Sequence, residues 1–160
     1  MVTEIEADFI IRVMRPEDVN AVLAIDRLSF STAWDKSSYL RDLINPICQY
    51  FVADRDGQVF AYCGLWIVRE DSHVTTIAVH PDWRHQGLGR TLMLKMIDYA
   101  LQHGSTRMTL EVSIANPSAK TLYDKLGFIT IGKIKAYYLD SGEDAWVMRL
   151  EPLRMPGTPP

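Results

Sequence analysis

The chain has 160 residues, of which 48% are hydrophobic and 23% are charged, and this composition is typical of one globular domain. Such an apolar content excludes a wholly disordered chain, and no uninterrupted apolar run is long enough to suggest a membrane-spanning helix. Seventeen basic and 20 acidic residues give a net charge of −3, which argues against a protein that binds long nucleic acids through their phosphates.

The two ends of the chain indicate the extent of the domain, and the cysteines indicate the cellular compartment. The first residues are acidic and lack the apolar stretch that a secretion signal requires. Cys48 and Cys63 lie within apolar segments, so we expect two reduced thiols and a cytoplasmic protein. The C-terminal segment is rich in proline. We therefore predict one domain over residues 9–150, with flexible termini at 1–8 and 151–160.

The first half of the chain predicts a strand, two helices and three further strands. Pro16 suits a first helical position, and Asp35 can cap the second helix, which Pro46 ends. The pair Asp56-Gly57 is a strong signal for a tight hairpin. We predict strands over 9–13, 49–53, 58–68 and 73–79, and helices over 16–30 and 35–44.

The second half begins with the most periodic helix, over 87–102, which Gly104 ends. Apolar and polar residues then alternate over 108–113, which predicts a half-buried strand. The remaining elements are a helix over 116–126 and strands over 128–135 and 144–150. This order of elements predicts an α/β fold, with a mixed central sheet and helices on both faces.

The most informative segment is a loop over 84–90, Arg-His-Gln-Gly-Leu-Gly-Arg, between a strand and the long helix. Gly87 and Gly89 let backbone N–H groups approach a ligand without a side chain in the way. The helix start adds unpaired N–H groups and a partial positive charge, and Arg84 and Arg90 add formal charge. This combination favours a phosphate or pyrophosphate ligand.

Two common nucleotide-binding motifs do not fit this loop. A P-loop requires Gly-x4-Gly-Lys-Ser/Thr, which the sequence lacks. A dinucleotide fingerprint requires a third glycine where Leu92 stands and a strand directly before Gly87, whereas seven residues separate Gly87 from the strand end at Val79. From the local pattern alone, a glycine-rich turn that merely starts a helix stays an alternative to an anion site.

A third motif, Arg/Gln-x-x-Gly-x-Gly/Ala, does fit, as Arg84-x-x-Gly87-x-Gly89, and through it the chain resembles the GNAT superfamily of N-acetyltransferases. The whole of 77–90 resembles the acetyl-CoA segment of that family. Leu110-Glu-Val112, Asn116 and the segment 122–128 resemble the strand and helix that follow it. The resemblance implies a single-domain GNAT fold, with a mixed, mostly antiparallel central sheet, and it implies acetyl transfer.

Two further segments narrow the resemblance to one branch. Phe30-x-x-x-Trp34 and 137–145 are similar to RimI-type N-α-acetyltransferases of ribosomal and other protein N-termini. The resemblance covers about residues 9–150 and implies transfer from acetyl-CoA to the N-terminal α-amine of a protein, either a ribosomal protein with N-terminal alanine or a broader set. It implies no nucleic acid or membrane partner. Acetylation of a small-molecule amine or a lysine side chain stays an alternative, as does a non-catalytic acyl-CoA sensor.

The resemblance also implies where acetyl-CoA, the co-substrate, binds. The pantetheine amides would pair with the strand 77–79 like an added strand, and the pyrophosphate would lie on the amides of 85–90. No metal is needed because the thioester is already activated. The implied cofactor-binding residues are Ile77, Ala78, Val79, Arg84, His85, Gln86, Gly87, Leu88, Gly89, Arg90, Asn116 and Tyr123.

Glu111 and Tyr123 are the candidate catalytic residues. Alternation places Glu111 on the polar side of its strand, which periodicity alone explains as a solvated face. The resemblance instead makes Glu111 the general base, acting through a water, and Tyr123 the general acid for the CoA thiolate. Tyr123 also lies in an apolar stripe, so a core tyrosine stays open. Asn116 is expected to cap its helix and could also contact the cofactor.

The peptide substrate would, by the same resemblance, contact Trp34, Tyr137 and Tyr138, although the two tyrosines could instead pack within their hairpin. Glu143 and Asp144 would hold that hairpin without a catalytic role. The four histidines, at positions 73, 80, 85 and 103, have no metal-ligand spacing. We therefore expect them on the surface or in turns, and we expect no metal site.

Overall fold

The computed structural model of the chain describes residues 9–30 and 34–157, so the segment 1–8 that we predict to be flexible lies outside the described residues. The strands are β1 (Ile10–Val13), β2 (Cys48–Arg55), β3 (Gln58–Val68), β4 (Asp71–Val79), β5 (Arg107–Ser113), β6 (Ile129–Ile134) and β7 (Ala145–Leu150). The helices are α1 (Val19–Ser29), α2 (Lys36–Leu43), α3 (Leu88–Gln102) and α4 (Pro117–Lys125). Short 3₁₀ helices occupy Pro16–Asp18 and Pro81–Trp83. The α-helices and strands follow one another in the predicted order.

The strands form one sheet in the order β1-β2-β3-β4-β5-β7-β6. β4 pairs with β5 in parallel, and α3 provides the long crossover that parallel neighbours require. The pairs β1–β2, β5–β7 and β6–β7 are antiparallel. The prediction of an α/β fold with a mixed, mostly antiparallel sheet is therefore confirmed.

Local sequence signals account for several element ends. Asp56 and Gly57 both have positive φ, 50° and 87°, which is the backbone that a two-residue hairpin requires. The side chain of Asp35 accepts a 2.9 Å hydrogen bond from the amide of Ser38 and so caps α2. Gly104, with a φ of 85°, follows α3 in the left-handed conformation typical of helix ends.

The described residues pack as two compact units, of which the first comprises the described residues up to Leu65 together with Thr76–Leu92. Its buried core includes Val19, Val22, Ile25, Tyr39, Tyr50, Val52, Tyr62 and Ala78. A carboxylate also lies in this unit's interior: Oδ2 of Asp26 accepts a 2.6 Å hydrogen bond from the Tyr39 hydroxyl. Burial raises the pKa of Asp26. Cys48 and Cys63 are both reduced in this structure.

The second unit comprises Trp66–Thr75 and the described residues from Met93 onwards. Its buried side chains include Met93, Met96, Ile97, Met108, Leu110, Val112, Leu126, Phe128, Met148 and Leu150. In β5, buried apolar residues alternate with Thr109, Glu111 and Ser113, which are only half-buried. The predicted alternation is confirmed, and it gives this unit a polar row along one face of β5.

The chain stays packed on the second unit beyond β7. Leu153 is buried, and its amide donates a 2.8 Å hydrogen bond to the carbonyl of Thr106. Glu151 lies 3.7 Å from the guanidinium of Arg107. Leu153 buries an apolar side chain and pairs its backbone, so the packed chain extends beyond the predicted end of the domain at residue 150, and the flexibility of residues 151–160 stays a prediction. Residues 158–160 lie outside the described part of the chain.

Candidate active site

The glycine loop lies in the first unit and has a backbone that only glycine adopts easily. Gly87 has a φ of 80° and His85 a φ of 63°, both in the left-handed region. The carbonyl of Gly87 accepts 3.1 Å hydrogen bonds from both the amide and the hydroxyl of Thr91, so α3 begins here. The first amides of α3, including that of Gly89, therefore have no intrahelical acceptor and can bind an anion.

Among the loop side chains, Arg84 is engaged within the protein. Its Nε donates a 2.9 Å hydrogen bond to the carbonyl of Val79, and its Nη2 donates at 3.1 Å to the hydroxyl of Ser29. These contacts tie the loop to the end of β4 and to the end of α1. Arg84 thus positions the loop, whereas its predicted contact with a pyrophosphate stays a prediction.

The other predicted cofactor residues divide by exposure. The side chains of Ala78 and Leu88 are buried, so these two residues can contact a ligand only through their backbone. Ile77 and Val79 are half-buried, and His85, Gln86 and Arg90 are exposed at the start of α3. Two of these exposed side chains, His85 and Arg90, are basic and lie beside the start of α3, where positive charge favours a phosphate.

In the second unit, Glu111 projects from the polar row of β5 and binds a histidine. The two carboxylate oxygens of Glu111 lie 2.8 Å and 3.0 Å from Nε2 of His73. The side chain of Glu111 is 15% exposed and that of His73 is 21% exposed. A carboxylate so placed is reachable from solvent and held by a neighbour, as a general base requires.

His73 is a contact of Glu111 that the sequence does not reveal. We predict a surface or turn histidine, but the structure places His73 in β4 beside Glu111, and the interpretation is corrected. The parallel register of β4 and β5 sets His73 opposite Thr109, two residues before Glu111 on the same face. Recognising the contact requires the strand pairing, which no local pattern contains. His80, His85 and His103 do lie in a turn or on the surface.

Tyr137 and Tyr138, which the sequence assigns to the substrate, lie in the connection between β6 and β7. The hydroxyl of Tyr137 donates to Oε1 of Glu111 at 3.4 Å, and the two tyrosine rings meet edge-to-face with centroids 5.0 Å apart. Burial and the nearby charge of Glu111 raise the pKa of Tyr137 to about 12. Burial, Glu111 and Glu143 also raise the pKa of Tyr138. Both phenols are therefore protonated at neutral pH.

The same connection is held by the two acidic residues predicted to hold it. Glu143 accepts hydrogen bonds from the Ser113 hydroxyl at 2.9 Å and, through its carbonyl, from the amide of Tyr138 at 3.1 Å. Asp144 accepts a 2.8 Å hydrogen bond from the amide of Ala136, which lowers the pKa of Asp144. These contacts fix the backbone that carries the two tyrosines.

Tyr123 lies on α4 and is 5% exposed, with its ring 6.0 Å from that of Phe128. Burial raises the pKa of Tyr123 to about 12. The ring therefore belongs to the core, as the alternative interpretation holds, while a catalytic role for its hydroxyl stays a prediction. Asn116 caps α4, as expected, by accepting a 3.2 Å hydrogen bond from the amide of Ala119.

The last predicted substrate residue, Trp34, lies in the first unit. Its ring packs at 5.4 Å from that of Tyr39, and 47% of the residue is exposed. The residues between Phe30 and Trp34 lie outside the described part of the chain. An exposed tryptophan fixed on one side by an aromatic neighbour is suited to contact an apolar part of a ligand.

Comparison with known proteins decides the family. Residues 19–128 match the model of the acetyltransferase (GNAT) family. The chain belongs to the GNAT family. It is therefore an acetyltransferase. Among the described residues of this GNAT protein, no three His, Cys, Asp or Glu side chains lie close enough to hold a metal ion, and no helix is long and apolar enough to cross a bilayer.

Within the family, the chain is similar to RimI-type proteins. It is 40% identical over 139 residues to the Bacillus subtilis protein named "putative ribosomal protein bS18-alanine N-acetyltransferase", covering 86% of this chain and 92% of that protein. It is 30% identical over 135 residues to the Escherichia coli ribosomal protein bS18-alanine N-acetyltransferase, covering 83% and 90%. The crystal structure of the ribosomal-protein-S18-alanine N-acetyltransferase from Escherichia coli superposes with a TM-score of 0.83 at 27% identity, over 95% of this chain and 99% of that one.

Proposed function

We propose that this GNAT protein transfers the acetyl group of acetyl-CoA to the N-terminal α-amine of a protein. The proposed acceptor is the N-terminal alanine of a ribosomal protein, as in the names of the bacterial relatives, or a broader set of N-termini. The observation that carries the proposal is the half-buried Glu111 carboxylate, which His73 and Tyr137 contact in the polar row of β5. The proposal places the reaction in the cytoplasm, without a nucleic acid or membrane partner.

The donor would bind through the backbone of the first unit. The amides of residues 85–90 at the start of α3 would receive the pyrophosphate, and the exposed Arg90 would add charge. The pantetheine amides would pair with the backbone of 77–79. The reaction as proposed needs no metal because the thioester carbonyl is already activated.

Glu111 would act on the acceptor. The amine must lose a proton before its lone pair can attack the thioester carbon, and Glu111 would take that proton through a water. At pH 7 this deprotonation costs about 1 kcal/mol for an α-amine, whose pKa is about 7.8, and about 4.6 kcal/mol for a lysine. A single carboxylate therefore assists the α-amine far more readily, which supports an N-terminal acceptor.

Collapse of the tetrahedral intermediate would then release the CoA sulfur, which Tyr123 would assist. A phenol with a pKa of about 12 is a weaker acid than a thiol of pKa about 8.5, so complete transfer of its proton to a free thiolate is unfavourable. Tyr123 would therefore act while the C–S bond is breaking, by donating a hydrogen bond to the sulfur as negative charge develops there. Asn116, whose side chain caps the helix that carries Tyr123, would help fix this position.

An acetylation assay over a peptide panel tests the proposed function. The panel varies the first two residues of the peptide. It also includes two other acceptors: an N-terminally blocked peptide whose sole amine is a lysine side chain, and a polyamine. CoA release gives the rate, and mass spectrometry locates the acetyl group. We expect acetylation of free N-termini, with alanine-initiated peptides among the substrates. Transfer confined to the blocked lysine peptide or the polyamine would contradict the proposed acceptor.

A further inference from the structure

His73 has no role in the mechanism proposed above, yet its Nε2 lies 2.8 Å from the carboxylate of Glu111, the proposed base. We propose that His73 is the positioning residue of the base: its Nε2–H holds the Glu111 carboxylate in the orientation in which that carboxylate accepts the amine proton. The inference rests on the proposed role of Glu111 as base, and it is independent of which amine is the acceptor.

The geometry assigns the hydrogen of the imidazole. Nε2 of His73 lies between the two oxygens of Glu111, at 2.8 Å and 3.0 Å. An ionised carboxylate can only accept hydrogen bonds, so the hydrogen lies on Nε2. Hydrogen bonds to an ionised acceptor are stronger than those between neutral groups, so this contact restrains both side chains.

The other ring nitrogen supports the same tautomer. Nδ1 of His73 is buried and has no hydrogen-bond partner among the residues that the structure describes. A hydrogen on Nδ1 would be a buried donor without an acceptor, which is costly. The ring of Trp66 lies 5.3 Å from the imidazole and tilted by 39°, and packs against it. His73 is thus arranged to donate once, and towards Glu111.

Both residues of the His73–Glu111 contact lie on paired strands rather than on loops. His73 and Glu111 lie on β4 and β5, which pair in parallel, and the register sets His73 opposite Thr109, two residues before Glu111. On the same face Arg149 lies 3.4 Å from the Thr109 hydroxyl, and the hydroxyl of Tyr137 donates to Oε1 of the carboxylate. Strands hold a catalytic group more tightly than loops do, so the sheet sets where the carboxylate points.

Three variants test the positioning role. His73→Leu removes the donor, His73→Gln restores an N–H at a similar reach, and His103→Leu is the matched control, since His103 is exposed at the end of α3. Steady-state rates are measured with the acceptor that the wild type uses best. We expect His73→Leu to lower kcat about 10- to 100-fold, the loss typical of a hydrogen bond to a charged group, with acetyl-CoA affinity unchanged. His73→Gln should recover most of this loss, and His103→Leu should match the wild type.

The role also predicts strong coupling between His73 and Glu111. If His73 acts through the carboxylate, His73→Leu should cost less than about threefold in a Glu111→Gln background. Losses that multiply in the double variant would overturn the proposal, as would a kcat for His73→Leu within about twofold of wild type. An acceptor other than an N-terminus would refute the proposed function but leave this comparison intact.

If His73→Leu fails to fold, a measurement on the wild-type protein still tests the proposal, and it does not depend on turnover. The ¹⁵N chemical shifts of the His73 ring in the wild-type protein report its tautomer directly. We expect the hydrogen on Nε2 and a bare Nδ1. A ring with its hydrogen on Nδ1 would overturn the proposal, because Nε2 could then not donate to Glu111.

Discussion

Replacing Glu111 by glutamine removes the proposed base with little change of shape. The amide oxygen can still accept from Nε2 of His73, which lies 2.8 Å from Oε1 of the native residue. We therefore expect the variant to fold and to bind acetyl-CoA like the wild type. Its turnover at pH 7 should fall about 10²- to 10⁴-fold, the usual contribution of a general base.

The deficit of Glu111→Gln should depend on pH because the acceptor amine itself titrates. An α-amine with a pKa of about 7.8 is roughly 14% free at pH 7 and roughly 94% free at pH 9. The supply of free amine rises about sevenfold, so the deficit should shrink by up to about sevenfold over this range. CoA release from pH 6.5 to 9, at saturating acetyl-CoA, measures it. Glu70→Gln is the matched control, since Glu70 is an exposed residue at the turn before β4. A deficit that stays constant with pH would refute the role of Glu111 as base.

Three other substitutions test the remaining parts of the account. Gly89→Val should weaken acetyl-CoA binding measured by calorimetry, because a branched side chain would stand in the first turn of α3; unchanged affinity in a folded variant would contradict the anion site. Tyr123→Phe keeps the ring packed on Phe128, so we expect an unchanged Tm and a turnover lowered about 10²-fold. Turnover within about twofold of wild type would show that the hydroxyl of Tyr123 has no catalytic role and that the residue serves only the core. Arg12 donates to both oxygens of Asp18 and thereby lowers the pKa of Asp18. The pair therefore stabilises the fold above pH about 4, and this stabilisation is lost as the pH falls through the lowered pKa of Asp18. Urea unfolding should show that Asp18→Asn is less stable at pH 7 and loses less stability on acidification; parallel losses in both proteins would contradict this.

The order of the elements was predictable because each carries its own local signal. Asp56-Gly57 specifies its hairpin through the backbone that these residues tolerate, and Asn116 and Asp35 specify helix starts through their side chains. The side of β5 that carries Glu111 follows from strict alternation with buried residues. Such signals act over a few residues, so they can be read without the fold.

The partners of the site residues were not predictable in the same way. His73 meets Glu111 across 38 residues of sequence, and only the parallel register of two strands brings them together. The sequence shows the positive charge of Arg84 in the glycine loop, but it does not show the hydrogen bonds of Arg84 to Val79 and Ser29. The burial of Leu153 in the proline-rich end was not predictable, because composition does not show which apolar side chain of a segment packs on the domain.

One peptide that offers both kinds of amine tests the proposed function most directly. It begins with a free alanine and contains a single lysine, and the acetylated product is located by tandem mass spectrometry at pH 7. At that pH the free-base fraction favours the α-amine roughly 300-fold, and the account predicts that the acetyl group is found on the N-terminal nitrogen. Acetylation of the lysine to an equal or greater extent would contradict it.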